Sequence, residues 1–321
     1  MFRGKIIDGI FRIIQKRFDK DVTSLDLKYG GEWLCLGLMT ISLLKKHGGF
    51  STLEEQLSDW MRSLCKQFQF FPLLEKLYAL WACSNVSSPV YNCVSEDEER
   101  EFTKEFKRNG TTLLLQRGIG SKPKKSQLEK ISAMNDTGVD LVNGYFCRKV
   151  CIRDNNKTFR ASDFVQAFST ASVEFSVFSH TLKHYLEELS KFKDLTIRTN
   201  GFWTLLFYAT HVILIETDYM TNHDPVSSEI SSFISEFCII AGQNKAIQMA
   251  DSLSEILLCV EKIEKNQPAI FMMTNILINM ISSEGVLLQN DNGLREREDL
   301  HSKLTSCSAL ISVLIYIDSE K

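Results

Sequence analysis

Thr204, His211 and Asp218 recur at seven-residue intervals. Seven residues are close to two helical turns, so in a continuous helix the three side chains return to nearly one face. The run that carries the first two, F-W-T-L-L-F-Y-A-T-H-V-I-L-I from Phe202 to Ile215, is apolar on every side, the pattern of a helix buried in a core. Polar groups carried into such a place must be satisfied by partners or must line a cavity. Burial moves imidazoles and carboxylates toward neutrality from opposite sides, and that is the condition for general acid–base work. The pattern therefore predicts a cavity with Thr204 on its lining, His211 as general base or metal ligand, and Asp218 as acid or second ligand; the alternative is that His211 is a satisfied core histidine and that Asp218 lies where the helix frays, since T-D-Y-M-T-N-H-D-P soon becomes a loop. Along the helix axis the imidazole and the carboxylate would stand about 10 Å apart, so they would share a ligand or an ion rather than bond directly.

Two further pairs carry chemistry. In S-H-T-L-K-H-Y-L-E-E-L, His180 and His184 lie one turn apart, with Glu187 and Glu188 a turn further on. Imidazoles at i and i+4 can share one metal ion, which makes this a candidate metal pair and a divalent transition metal the candidate cofactor. Against that, Phe164, Phe168, Ala171, Phe175, Phe178, Leu182, Tyr185 and Leu189 form the apolar stripe of the same segment, and the pair projects from roughly the opposite, solvated side. Asn275 and Asn279 also lie one turn apart, in the uncharged run A-I-F-M-M-T-N-I-L-I-N-M-I. Amides buried there must be hydrogen-bonded, either by a ligand's polar groups or by a neighbouring helix. Trp33, Trp60, Trp81 and Trp203 either line an apolar pocket or belong to the core. Cys147 and Cys151 form a lone C-x3-C, too little for a metal site on its own.

The segment Thr210-His211, five residues, then Thr217-Asp218-Tyr219 resembles a motif of an uncharacterised bacterial family of all-helical proteins. The resemblance implies that His211 and Asp218 belong together in an all-helical fold. It carries no substrate.

The elements that would position these residues are helical almost throughout. Apolar periodicity predicts twelve helices, near 3–19, 30–46, 52–69, 72–85, 96–117, 124–147, 162–191, 200–219, 225–242, 244–265, 268–284 and 293–316. Pro72, Pro123 and Pro268 fit first turns, and Gly118 and Gly285 fall where helices stop. The exception is 148–160, where Val150 and Ile152 alternate with polar residues before Asp154-Asn155-Asn156, the pattern of a small β-hairpin and a subdomain boundary. Helices apolar on nearly all sides, at 33–44, 73–83, 202–215 and 269–281, alternate with amphipathic ones. Inner helices touch neighbours all round while outer ones cover them, so the expected fold is all-α, with paired helices in two layers. Six hairpins would close an α/α toroid; an open helical array is the alternative. A single domain over 1–321 is expected.

Composition narrows the function classes. A formal net charge of −3 over 321 residues argues against a nucleic-acid binder working through a basic surface. Nine cysteines, an odd count, fall mostly in apolar helical runs such as those holding Cys35, Cys83, Cys238 and Cys259, which points to a reducing, cytoplasmic setting. The opening segment places Ile6, Ile7, Ile10, Phe11, Ile14 and Phe18 at helical spacing, but Asp8 and Arg12 interrupt the continuous apolar run that a signal peptide needs. A core-docked helix is expected there, and no transmembrane segment anywhere. Three functions remain. The first is an enzyme acting on a small apolar or peptide-like substrate through His211 and Asp218. The second is a helical interaction module that binds a peptide or partner helix in an apolar groove. The third is a homo-oligomer whose apolar helices complete a shared core.

Overall fold

A computed structural model describes residues 2–18, 21–105, 210–211, 213–214, 217–221, 250–259, 267–281, 287 and 296–319. Among the described residues the fold is all-α, and an isolated antiparallel bridge between Ile281 and Leu287 is the nearest approach to a strand. The chain divides into two compact units, one formed by 1–95 with 216–321 and the other by 96–215. The hairpin and boundary expected near 148–160 lie outside the described residues, as do Cys147 and Cys151.

The first unit holds helices α1 (Phe2–Arg17), α2 (Ser24–Lys28), α3 (Gly30–His47), α4 (Ser51–Cys65), α5 (Leu73–Ser84), α6 (Ala250–Leu258), α7 (Gln267–Met280) and α8 (Glu296–Ser319). α8 occupies the middle, packed by α3, α6, α1 and α7. From Leu300 to Leu314 it is buried at every position but the half-buried His301. By length and composition Leu300–Ser319 could cross a membrane, yet 83% of its apolar window is buried inside the protein, so it serves here as a core helix.

A helix buried on all sides must satisfy its polar side chains from within. Thr305 Oγ1 donates to the carbonyl of His301 at 2.8 Å. Ser308 Oγ meets Thr40 Oγ1 of α3 at 2.8 Å, and Ser306 Oγ meets Ser254 Oγ of α6 at 2.7 Å. Thr40 and Ser254 each also bond a carbonyl one turn back, to Leu36 and Ala250. These hydroxyls are small as well as polar, so α3 and α6 approach α8 closely while these groups stay paired; Ser312 Oγ and Tyr316 OH, further along α8, are buried without a hydrogen-bond partner among the described residues.

Around this axis α1 buries Ile6, Ile10, Ile13 and Ile14, with Phe18 just past its end, and so docks on the core; Ile7 and Phe11 of the expected stripe are only half-buried, and Ile13 is buried in addition to it. α3 is buried from Trp33 to Leu44 except at Ser42. Trp33, Trp60 and Trp81 belong to the core. α4 ends at Cys65, short of the expected 69; the chain passes through a 3₁₀ turn at Phe68–Phe70 before Pro72 opens α5. The short α2 was not expected. It is fixed by a capping box, in which Asp26 receives the backbone N–H of Thr23 at 2.8 Å and the Thr23 hydroxyl receives the N–H of Asp26 at 3.3 Å.

α7 departs from expectation. Ile270, Met273, Thr274 and Leu277 are buried, while Pro268, Met272, Asn275 and Asn279 are exposed. The run reads as buried all round because neither of its faces carries a charge, but only one face meets the core.

Candidate functional site

Helix is present at Thr210, His211, Ile213 and Leu214; Thr210, Ile213 and Leu214 are buried, and His211 is half-buried. The shared face expected for His211 and Asp218 requires that helix to continue through 218, and it does not. Thr217–Thr221 is a turn, and Asp218, Tyr219 and Met220 have φ of 48°, 54° and 59°. Non-glycine residues seldom enter this left-handed region, and each costs on the order of 1 kcal/mol or more, so three in succession need firm support. Thr217 Oγ1 accepts the Met220 N–H at 3.2 Å, and the Asp218 carbonyl accepts the Thr221 N–H at 3.2 Å and the Thr221 hydroxyl at 2.6 Å. From the core, Ser42 Oγ donates to the Met220 carbonyl at 3.1 Å, and the Trp81 and Tyr219 rings lie 5.5 Å apart.

Thr204, His180 and His184 lie outside the described residues. Asn275 and Asn279 were expected as buried amides and are instead exposed on α7. Among the described residues no three His, Cys, Asp or Glu side chains converge as a metal ion would require.

What the first unit does bring together is a histidine that the chemistry-bearing spacing had not singled out. His301 lies in the second turn of α8, 26% exposed. Its Nδ1 is 2.9 Å from Asp251 Oδ1 on α6, and its Nε2 is 3.5 Å from Glu32 Oε1 on α3. Burial pulls the imidazole pKa down, but the carboxylates of Asp251, Glu32 and Glu255 overcome it and hold the value at about 9. At neutral pH His301 is thus an imidazolium, hydrogen-bonded to Asp251 through Nδ1 and ion-paired with Glu32 through Nε2, and it ties three helices together. Glu75 of α5 completes the acidic surroundings, accepting the N–H of Glu32 at 2.9 Å. Burial, reinforced by Glu75 and Glu32, holds the neighbouring Cys35 thiol well above its ordinary range.

A second histidine also lies beside a carboxylate. His47 Nε2 lies 3.3 Å from Asp318 Oδ2, which Arg3 Nη2 also reaches at 3.1 Å, so the start of α1 and the ends of α3 and α8 are held together. Neither cluster was legible from spacing, because each gathers residues from segments far apart in the chain. The one local hint for His301 is an imidazole opening a helix that is apolar yet rich in serine and threonine.

The chain matches no protein-family model, no curated protein and no solved structure.

Proposed function

We propose that the protein is a helical interaction module whose docking face is the outer side of α7, and that its partner is an amphipathic helix with an uncharged face. One observation carries this reading. α7 contains no charged residue in its 14 positions, yet Pro268, Met272, Asn275 and Asn279, at 4-3-4 spacing, are exposed along one side. Water-facing helix surfaces are normally charged, whereas the centres of protein–protein interfaces are depleted of charge and enriched in methionine. Met272, 38% exposed, supplies an apolar anchor. The amides of Asn275 and Asn279 each offer donors and an acceptor, and standing one turn apart they would fix the register of a partner helix. The burial expected of these asparagines would then arise in the complex.

The ionisable groups of the same unit support this reading over an enzyme, since His301 and His47 are engaged with carboxylates of the fold. The paired, two-layered helical order belongs to the proposal as an open array, in which an outer helix keeps one face for a partner.

The test places a photo-crosslinking residue at 275 or 279 in the full chain, with exposed Ser63 on α4 as the control site. Crosslinks from 275 and 279 to one helical segment of one partner, absent from 63, are the expected result. Met272→Glu should abolish them while shifting the melting temperature by no more than about 2 °C, as suits an exposed site. Equal crosslinking from all three positions, or none from α7, overturns the reading. A second copy of the chain as the captured partner would make the module self-associating.

A further inference from the structure

Cys65 is the last residue of α4, and Cys83 stands one residue before the end of α5. Both are buried thiols, and their Sγ atoms lie 3.3 Å apart. That is closer than two carbons at their optimal separation of about 3.5–4.0 Å. A disulfide at about 2.05 Å needs the sulfurs to approach by roughly 1.2 Å.

We infer that Cys65 and Cys83 form an oxidation site, converted to a disulfide by a peroxide. In the first step a sulfur of the pair attacks the peroxide O–O bond. A sulfenic acid forms, and the departing hydroxide takes the thiol proton and leaves as water. In the second step the other sulfur attacks the sulfenic sulfur; the S–S bond forms, the S–O bond breaks, and the hydroxide leaves as water with the second thiol proton. Two thiols lose two electrons and two protons, and the peroxide takes up both.

Position favours this pair over the other buried thiols. Cys65 ends its helix beside exposed Lys66, where fraying of a last turn gives a small oxidant access. Cys307 lies within the central helix α8, where burial pushes its thiol far above the ordinary range, and Cys35 is similarly held protonated. Neither is placed with its sulfur against a second cysteine's, as Cys65 and Cys83 are. The bond would close a loop over 66–82. That loop carries the 3₁₀ turn and Phe70, which at 61% exposed is more open to solvent than Tyr91, the other exposed aromatic ring among the described residues.

The experiment treats the reduced full-length protein with hydrogen peroxide, blocks remaining thiols with N-ethylmaleimide in denaturant, and maps the peptides without reduction. The expected result is a Cys65–Cys83 peptide as the dominant crosslink, lighter by two hydrogens, reversed by dithiothreitol, with slowed amide exchange over 66–72. In Cys83→Ser the crosslink should vanish and Cys65 be recovered over-oxidised. Recovery of Cys65 and Cys83 as alkylated thiols at a dose that oxidises half-buried Cys93 overturns the inference. So does a mixture in which Cys65 pairs indiscriminately. The decisive mapping is on the wild-type chain, so it does not depend on how the variant folds.

Discussion

His301 keeps its proton because three carboxylates outweigh the cost of burying an imidazolium. Its pKa is raised from an ordinary 6.5 to about 9, so its contribution to stability is fully present below pH 6.5 and is lost as pH rises through 9. The full shift corresponds to about 3 kcal/mol. The urea midpoint of the protein should therefore fall between pH 6.5 and 9, and His301→Gln should flatten that slope; a wild-type midpoint constant over this range would show that the clamp contributes nothing. Asp218 gives a backbone prediction of the opposite kind. Its φ of 48° suits glycine or asparagine and penalises a β-branched residue. Asp218→Val should destabilise by about 1–2 kcal/mol in thermal melts, and Asp218→Gly should not. At this scale the sequence conveyed little. The seven-residue rule needs a helix that runs through Asp218, and the left-handed turn found there leaves no mark in hydropathy. His301 draws its partners from α3 and α6, segments that periodicity treats one at a time.

The elements were far more legible, because apolar residues repeat where a helix has a core to face. α1, α3, α5 and α8 lie within a few residues of their expected spans. α2 escaped because five residues are too short to show a period, although Thr23 and Asp26 spell its cap. α7 was found but its surroundings were misjudged, since hydropathy cannot tell a buried face from an exposed uncharged one. The start of α3 shows how neighbouring elements complete one another. Its N-cap, Tyr29, supplies no side-chain hydrogen bond, and the Glu75 carboxylate from α5 takes the orphaned N–H of Glu32 instead. This is feasible only because Gly31 lets the α5 backbone come close; a Cβ there would meet the Glu75 carbonyl oxygen within van der Waals radii, at 1.9 Å. Gly31→Ala should consequently push α5 from α3 and cost about 3 kcal/mol or more, read as a lowered denaturation midpoint, because backbone cannot yield as a side chain would.

On the scale of the molecule, the all-helical class was readable from composition and period, and the division into units was not. The first unit is discontinuous, built from 1–95 and 216–321. No shift in composition announces such an arrangement, since both stretches carry the same mixture of aliphatic and charged residues. Its centre, α8, was expected as one helix among twelve. What sets it apart is the layer of hydroxyls that meets Thr40 and Ser254, and the partners of those hydroxyls become known only when the helices are assembled.

The bond between Thr40 and Ser308 joins residues 268 positions apart. A ribosome adding roughly 5–20 residues per second takes from about ten seconds to nearly a minute to bridge that interval. Throughout it, the greasy flank of α3 that will later enclose α8 has nothing of its own to hold. Until the later segment is made, that surface stays open to water, so the unit can close only when its far end has been synthesised.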